Sequence, residues 1–163
     1  MSLINSIFEQ LLNGLRTGSI YALIALGYTM VYGIAKMINF AHGDIIMVGA
    51  YSLYVFTVLL GLHPVIAVIL TIVVCSVLGI VIEKVAYKPL RNAPSLAVLI
   101  TAIGMSYLLQ NVALLIFKAT PIPFASIISV PSLRLGSVTI SGITIVTLVV
   151  TTISMIALTS FIN

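Results

Sequence analysis

The stretch Asn39-Phe40-Ala41-His42-Gly43-Asp44, here called the hexapeptide, is the densest polar cluster in a chain that is otherwise strongly apolar. Asp44 is one of three acidic residues and His42 is one of two histidines, and both lie between long apolar segments. Ionisable groups at or inside a membrane are costly, so by default they are candidates for function. The hexapeptide therefore separates two predicted helices and is the first candidate site.

The composition decides the class of protein. The 163 residues are 61% hydrophobic and only 6% charged, whereas a soluble globular domain carries about 25% charged residues. The apolar runs are about 20 residues long, the length that a helix needs to cross about 30 Å of hydrocarbon. They are continuous, whereas the strands of a membrane barrel alternate apolar and polar residues in segments of about ten. The predicted fold is all-α, a polytopic transmembrane helical bundle.

Five membrane spans are predicted in a single membrane domain over residues 1–163. An amphipathic helix over residues 4–15 is expected to lie at the interface before the first span. Asp44 is expected to cap the second span, because its carboxylate can accept from the free N–H groups of the first turn. Residues 84–94 and 118–139 are expected to form connections outside the hydrocarbon. The spans are placed near residues 17–32, 45–60, 65–82, 95–117 and 140–162.

Small residues mark helix faces that suit close packing. Gly14, Gly18 and Ala22 follow one another at steps of four residues and expose a smooth ridge, which lets another helix approach closely. Gly49, in the second span, begins the run Gly49-Ala50-Tyr51-Ser52 and marks a second such face. Helices of this kind are expected to have protein rather than lipid as neighbours.

The fourth span carries polar and small residues on one face. Thr101, Gly104 and Asn111 lie 4, 7 and 14 positions after Ala97, and Gln110 is adjacent. Asparagine and glutamine inside a membrane helix must find hydrogen-bond partners. These residues therefore either bond to a neighbouring helix or line a polar pathway, and the sequence leaves both open.

Several functional classes are not indicated. Two histidines and three acids show no spacing typical of a metal site or of a nucleophile with its base, and no glycine loop for phosphate is present. The net charge of +4 comes from basic residues scattered near helix ends, which orient membrane segments rather than bind nucleic acid. The chain is predicted not to be an enzyme and to hold no metal.

A channel or transporter subunit fits the pattern better. A short helix after a glycine-containing polar break is typical of a discontinuous membrane segment, which often flanks a substrate path. The alternative role of the hexapeptide is a capped, buried turn that fixes the packing of the first two spans. The candidate path residues are Asn39, His42, Asp44, Thr101, Gly104 and Asn111.

The basic residues predict an orientation. With five spans, Lys36, Lys84, Lys88 and Arg91 share one side of the membrane, against three basic residues on the other. The tightest basic cluster lies at 84–91, and cytoplasmic loops are enriched in Lys and Arg. This cluster is therefore placed in the cytoplasm and the N-terminus outside.

Residues 13–34, NGLRTGSIYALIALGYTMVYGI, lead through Met37 into the hexapeptide. This run closely resembles the start of the LivH-type permease of branched-chain amino acid ABC importers. The segment Tyr28–Gly33 and the hexapeptide together are specific to that family, and residues 83–91 resemble its first cytoplasmic basic loop. The resemblance extends over the whole chain and is strongest over residues 13–51.

The resemblance implies a multi-pass subunit of the bacterial inner (plasma) membrane, embedded in the lipid bilayer. It implies a second, related permease that shares the translocation path, two cytoplasmic ATPase subunits, and a periplasmic binding protein that delivers leucine, isoleucine or valine. ATP is then bound by the ATPase subunits, and this chain itself holds no cofactor. Family members are nearly twice as long, so the chain is expected to be the N-terminal portion of a longer permease.

Two alternatives remain open from the sequence. A relative of this family could carry amides, urea or another small solute, because the binding protein largely selects the substrate. A fragment of a secondary transporter would need an inverted repeat and a coupling-ion site. Neither feature is found in the five predicted spans, although half a protein can hide both.

Overall fold

A computed structural model describes residues 3–35, 39–123, 130–135 and 138–162. Helical segments dominate this part of the chain. Short π-helical segments continue two of the α-helices, at Val55–Leu59 and at Glu83–Tyr87, and a 3-10 turn follows at Lys88–Leu90. Strands β1, Leu133–Leu135, and β2, Val138–Ile140, pair antiparallel. The α-helices are α1 Leu3–Ala35, α2 His42–Tyr54, α3 Pro64–Ile82, α4 Ser95–Phe117 and α5 Gly142–Ile162.

The chain divides into two compact units. One consists of residues 1–30 with 126–163, and the other of residues 31–125. The second unit contains α2, α3, α4 and the whole hexapeptide. The assignment of residues 1–163 to a single membrane domain stays a prediction.

The fold is that of a polytopic helical membrane protein, as predicted. Within the described residues, four helices are long and apolar enough to cross a membrane. Five spans were predicted, so the count differs by one in this part of the chain. The predicted first span, residues 17–32, lies in α1, which is not one of the four. The four are His42–Leu59, Pro64–Leu90, Ser95–Phe117 and Gly142–Ser160.

The predicted interfacial helix over 4–15 and the predicted first span form one continuous helix, α1. Its 33 residues give a length of about 50 Å. Proline is absent from this stretch of sequence, and Thr17 and Ser19 satisfy their hydroxyls on backbone carbonyls of the same helix. The two elements predicted as separate therefore merge, and the helix runs three residues past the predicted end of the first span at residue 32.

A tight turn, residues 61–63, leads into α3. Gly61 has a φ of +62°, a conformation that favours glycine. His63 is the residue before the helix, and its Nδ1 accepts a hydrogen bond from Val65 N at 3.4 Å. Pro64 occupies the first helical position, where its missing N–H is not needed.

Residues 84–90, predicted as a loop, are helical instead. The π-helical and 3-10 segments extend α3 to Leu90. Ala86 and Tyr87 are buried there and pack with Ile82, Val98 and Ala102 into the core of this unit. The apolar contact with α4 holds the segment in a helix, although its sequence contains Pro89 and two basic residues, Lys84 and Lys88.

Close packing appears where small residues face a neighbour. A Cβ atom added to Gly49 would lie 3.2 Å from Cys75 Sγ and 3.9 Å from Thr71 Cγ2, so α2 and α3 are in close contact. A Cβ on Gly14 or Gly18 would meet no atom within 4 Å. Within the described residues, that ridge of α1 is therefore open at these two glycines.

In the other unit, the start of α5 packs against the preceding chain. A Cβ on Gly142 would lie 2.6 Å from the backbone oxygen of Pro131 and 2.6 Å from Val130 Cγ1. Thr144 and Thr151 of α5 are buried. Glycine is thus required where the segment before the hairpin approaches the helix.

Candidate functional site

The hexapeptide forms the turn that starts α2, and Asn39 organises it. Ala41 N donates to Asn39 Oδ1 at 3.0 Å, and His42 N donates to the backbone oxygen of Asn39 at 3.2 Å. Helix α2 begins at His42, with Ala41 before it and no side chain capping the first turn. The prediction that Asp44 caps this helix is wrong, because Asp44 lies within the first turn and its carboxylate bonds elsewhere.

The Asp44 side chain is buried, with 7% of its surface exposed. Gln110 of α4 donates from Nε2 to Asp44 Oδ1 at 3.0 Å, and the same nitrogen donates to Ser106 Oγ at 3.1 Å. The positive end of the α2 dipole adds to the stabilisation of the carboxylate. No ion pair with Asp44 occurs in the described part of the chain. A buried carboxylate is therefore held by a neutral amide on another helix.

A second polar contact joins the hexapeptide to the end of α3. Tyr87 donates from its hydroxyl to Asn39 Oδ1 at 2.7 Å. Asn39 Oδ1 thus accepts two hydrogen bonds, one from the turn and one from the π-helical segment. The turn is fixed at both ends, by Tyr87 at Asn39 and by Gln110 at Asp44.

Helices α2 and α4 run parallel along a shared seam. Asp44 and Gln110 are 66 positions apart in the chain, and Tyr51 and Phe117 have the same separation. The rings of Tyr51 and Phe117 stack with centroids 4.1 Å apart and an interplanar angle of 12°. Seven residues make about two helical turns, so one face of each helix carries a polar contact followed by an aromatic one.

The remaining candidates lie near the hexapeptide or elsewhere on α4. His42 is half-buried in the first turn of α2, and Thr101 is half-buried on α4. Gly104 and Asn111 are exposed, and Asn111 Nδ2 donates to the backbone oxygen of Tyr107 in its own helix at 2.7 Å. Among the described residues, no hydrogen bond joins these three α4 positions to the hexapeptide. Their role in a substrate path stays a prediction.

Three residues of the cluster were missing from the predicted site. Gln110 had a signal in the sequence, since a glutamine inside a membrane helix needs a partner, but the sequence did not identify that partner. Ser106 lies one helical turn before Gln110 and has the spacing to support it. Tyr87 had no such signal, because it was assigned to a loop.

The cluster can accept hydrogen bonds and attract positive charge. Carboxylate and amide oxygens are acceptors for N–H donors, and bonds to an ionised acceptor are stronger than neutral ones. Asp44 supplies negative charge, while Asn39 and Gln110 supply amide oxygens. This chemistry suits an ammonium group or another cation, and it equally suits a contact that joins helices.

Comparisons with known proteins agree with the fold. The family model for the permease component of branched-chain amino acid transport systems matches residues 10–162. The high-affinity branched-chain amino acid transport system permease protein BraD of Pseudomonas aeruginosa is 45% identical, over 95% of this chain and 54% of the relative. The LivH permease proteins of Salmonella typhimurium and Escherichia coli K12 are each 40% identical with the same coverage. No solved structure matches the chain.

The chain spans about half the length of the curated relatives it matches. The match to the family model nevertheless covers nearly all of this chain, including the hexapeptide, α2 to α5 and most of α1. The chain belongs to the family of permease components of branched-chain amino acid transport systems.

Proposed function

We propose that this chain is part of a permease subunit of a bacterial ABC importer for leucine, isoleucine and valine. The observation that carries the proposal is the family match over residues 10–162. The 45% identity to BraD, a permease protein of a high-affinity branched-chain amino acid transport system, supports the same substrate class. The location that follows is the inner membrane of a bacterium.

The structure supports a transport role through the setting of its polar cluster. Asp44 and Asn39 lie between apolar helices and are bonded by Gln110 and Tyr87. Buried polar groups among membrane helices typically mark ion or substrate pathways. A polar turn at the start of a membrane helix is also typical of transporter binding regions.

The proposed assembly contains further subunits. A second permease shares the translocation path, two cytoplasmic ATPase subunits bind and hydrolyse ATP, and a periplasmic binding protein delivers the amino acid. The chain itself needs no cofactor in this scheme. Conformational change driven by the ATPase subunits would reach the path through the membrane helices.

The test uses a complete permease. A hybrid permease is made in which this chain replaces the matched part of BraD. It is expressed in a Pseudomonas aeruginosa strain that lacks BraD, and uptake of labelled leucine is measured. We expect uptake to return, with competition by isoleucine and valine and none by urea or acetamide. The membrane level of the hybrid permease and its co-purification with the ATPase subunits serve as assembly controls.

The outcomes separate the alternatives. An assembled hybrid without leucine uptake contradicts the proposal, and uptake blocked by urea or acetamide favours a permease for other small solutes. A secondary transporter is tested by inactivating the ATPase subunits. Uptake that persists without ATP hydrolysis and collapses with the ion gradient would overturn the ABC assignment.

A further inference from the structure

The seam between α2 and α4 locates Asp44 in depth. Gln110 lies 15 residues after Ser95, about 22 Å along α4, and seven residues before Phe117, about 10 Å from its end. The whole helix has 23 residues and a length of about 34 Å, close to the thickness of the hydrocarbon. Asp44 is bonded to Gln110, so the carboxylate lies level with the interior of α4 rather than with one of its ends.

Helix α3 also places the start of α2 away from a helix end. Cys75 Sγ contacts the backbone oxygen of Ile45 at 3.8 Å and would lie 3.2 Å from a Cβ on Gly49. Cys75 lies near the middle of the 27-residue span Pro64–Leu90. The start of α2 is therefore level with the interior of both neighbouring helices.

A carboxylate at that depth requires compensation. An isolated buried charge is strongly unfavourable, and membrane acids pair with each other, with cations or with backbone groups. In the described part of the chain, the side-chain partner of Asp44 is the neutral amide of Gln110. A cationic partner would complete the site.

Gln110 connects the buried carboxylate of Asp44 to the exposed surface of α4. Its nitrogen Nε2 makes both of its hydrogen bonds, to Asp44 and to Ser106. Its oxygen Oε1 accepts no hydrogen bond from the described residues, and the residue is exposed on α4. The exposed surface thus presents an amide oxygen, with a buried negative charge directly behind it.

We propose that Gln110 and Asp44 form an ammonium-binding point in the translocation path. The Gln110 oxygen accepts an N–H from the ammonium group of a passing amino acid, and the Asp44 carboxylate supplies the balancing charge. This inference rests on the proposed function and specifies which part of the substrate the site binds. The carboxylate and the side chain of the amino acid would be contacted by other parts of the path and by the partner permease.

The test removes the charge and keeps the hydrogen bond. Asp44→Asn retains an oxygen that accepts from Gln110, and Glu83→Gln makes the same change of charge at an exposed position. Both variants are placed in the complete importer, and leucine uptake is measured together with ATP hydrolysis stimulated by the binding protein. We expect Asp44→Asn to lower uptake about tenfold or more, since bonds to a charged group are the stronger ones. Stimulated ATP hydrolysis should continue, and Glu83→Gln should match the wild type in both assays.

A second variant tests whether a carboxylate at position 44 is enough to recover leucine uptake. Asp44→Glu keeps the carboxylate one methylene further out, and we expect it to recover part of the uptake that Asp44→Asn loses. Wild-type uptake by Asp44→Asn at equal membrane levels overturns the ammonium-binding point and leaves the leucine importer intact. Loss of the assembled complex in Asp44→Asn also overturns it, because the charge would then pair with a basic side chain of a partner subunit. Absence of leucine uptake by the wild type would instead refute the proposed function.

Discussion

The two contacts along the α2–α4 seam differ in chemistry although they share one geometry. Asp44 and Gln110 join the helices through a polar bond of 3.0 Å, and two turns later Tyr51 and Phe117 join them by ring stacking. Lipid can replace much of what an aromatic ring gains in such a contact, because lipid tails are themselves apolar. Lipid cannot replace a hydrogen-bond partner of a carboxylate. The polar contact therefore determines which neighbour α2 accepts, and the aromatic one adds packing.

The largest loss of stability is expected when only one partner of the polar contact is replaced. Gln110→Leu leaves the Asp44 carboxylate buried without its side-chain donor, and we expect a loss of about 3 kcal/mol in stability of the assembled importer. Thermal unfolding of the purified complex in detergent measures this loss. Asn111→Leu, on the neighbouring position, removes a bond within its own helix and should leave the melting temperature nearly unchanged. Equal melting temperatures for Gln110→Leu and Asn111→Leu would show that the Asp44–Gln110 contact adds no more stability than a bond within one helix.

A double substitution sharpens the same comparison. Asp44→Leu with Gln110→Leu makes the polar end of the seam as apolar as the aromatic end. Replacing both partners of a buried polar pair by apolar groups is often close to neutral, so the double variant should be about 2 kcal/mol more stable than Gln110→Leu alone. Unfolding in detergent and leucine uptake are measured together. Recovered stability with lost uptake separates the structural role of the pair from its transport role, and a double variant as unstable as Gln110→Leu would contradict the pairing.

A smaller effect is expected at the other end of the hexapeptide. Tyr87→Phe removes the hydroxyl that donates to Asn39 Oδ1 while Ala41 N still bonds the same oxygen. We therefore expect a loss of about 1 kcal/mol, read from the same melting curves. Tyr107→Phe, at an exposed position of α4, is the matched control. No difference between the two variants would mean that the turn does not depend on the π-helical segment.

The aromatic contact should matter less. Tyr51→Leu keeps an apolar side chain and removes the stacked pair, with an expected loss of about 0.5 kcal/mol and leucine uptake close to the wild type. Tyr21→Leu, at an exposed position on α1, controls for the loss of a tyrosine. A loss as large as that of Gln110→Leu would reverse the order of the two contacts.

The smallest effect has the opposite sign. Thr71 Oγ1 is buried beside Gly49 and makes no hydrogen bond in the described part of the chain. Thr71→Val replaces this hydroxyl by a methyl group of similar size, and we expect a gain of about 0.3 kcal/mol because an unsatisfied polar group is removed. Thr57→Val removes a hydroxyl that is bonded to Leu53 O and should bring no gain. A destabilised Thr71→Val would indicate that the hydroxyl has a partner in the assembled importer.

The sequence was most informative where the signal was local. The bounds of α4 were predicted as residues 95–117, because a long apolar run lies between Pro94 and Lys118. The third span was predicted to begin near residue 65, and α3 begins at Pro64; the family followed from residues 13–51 with the hexapeptide. These signals need only neighbouring residues.

The sequence was less informative where distant residues decide the structure. Residues 84–90 were predicted as a loop, and their burial against Val98 and Ala102 makes them helical. Asp44 was predicted to bond its own helix, which is the nearest set of donors, whereas its partner Gln110 comes 66 residues later. A helix pattern shows that a polar side chain needs a partner, but only the fold shows which one.

That separation of 66 residues has a consequence for biosynthesis. A ribosome adds about 5 to 20 residues per second, so Gln110 is made about 3 to 13 seconds after Asp44. During that interval the Asp44 carboxylate has no side-chain donor from α4. A charged carboxylate is energetically unfavourable in the hydrocarbon. The bond between Asp44 and Gln110 therefore cannot form until α4 has been made. The polar pair joins two helices that are not adjacent in the chain, so this contact forms only after α2, α3 and most of α4 have been synthesised.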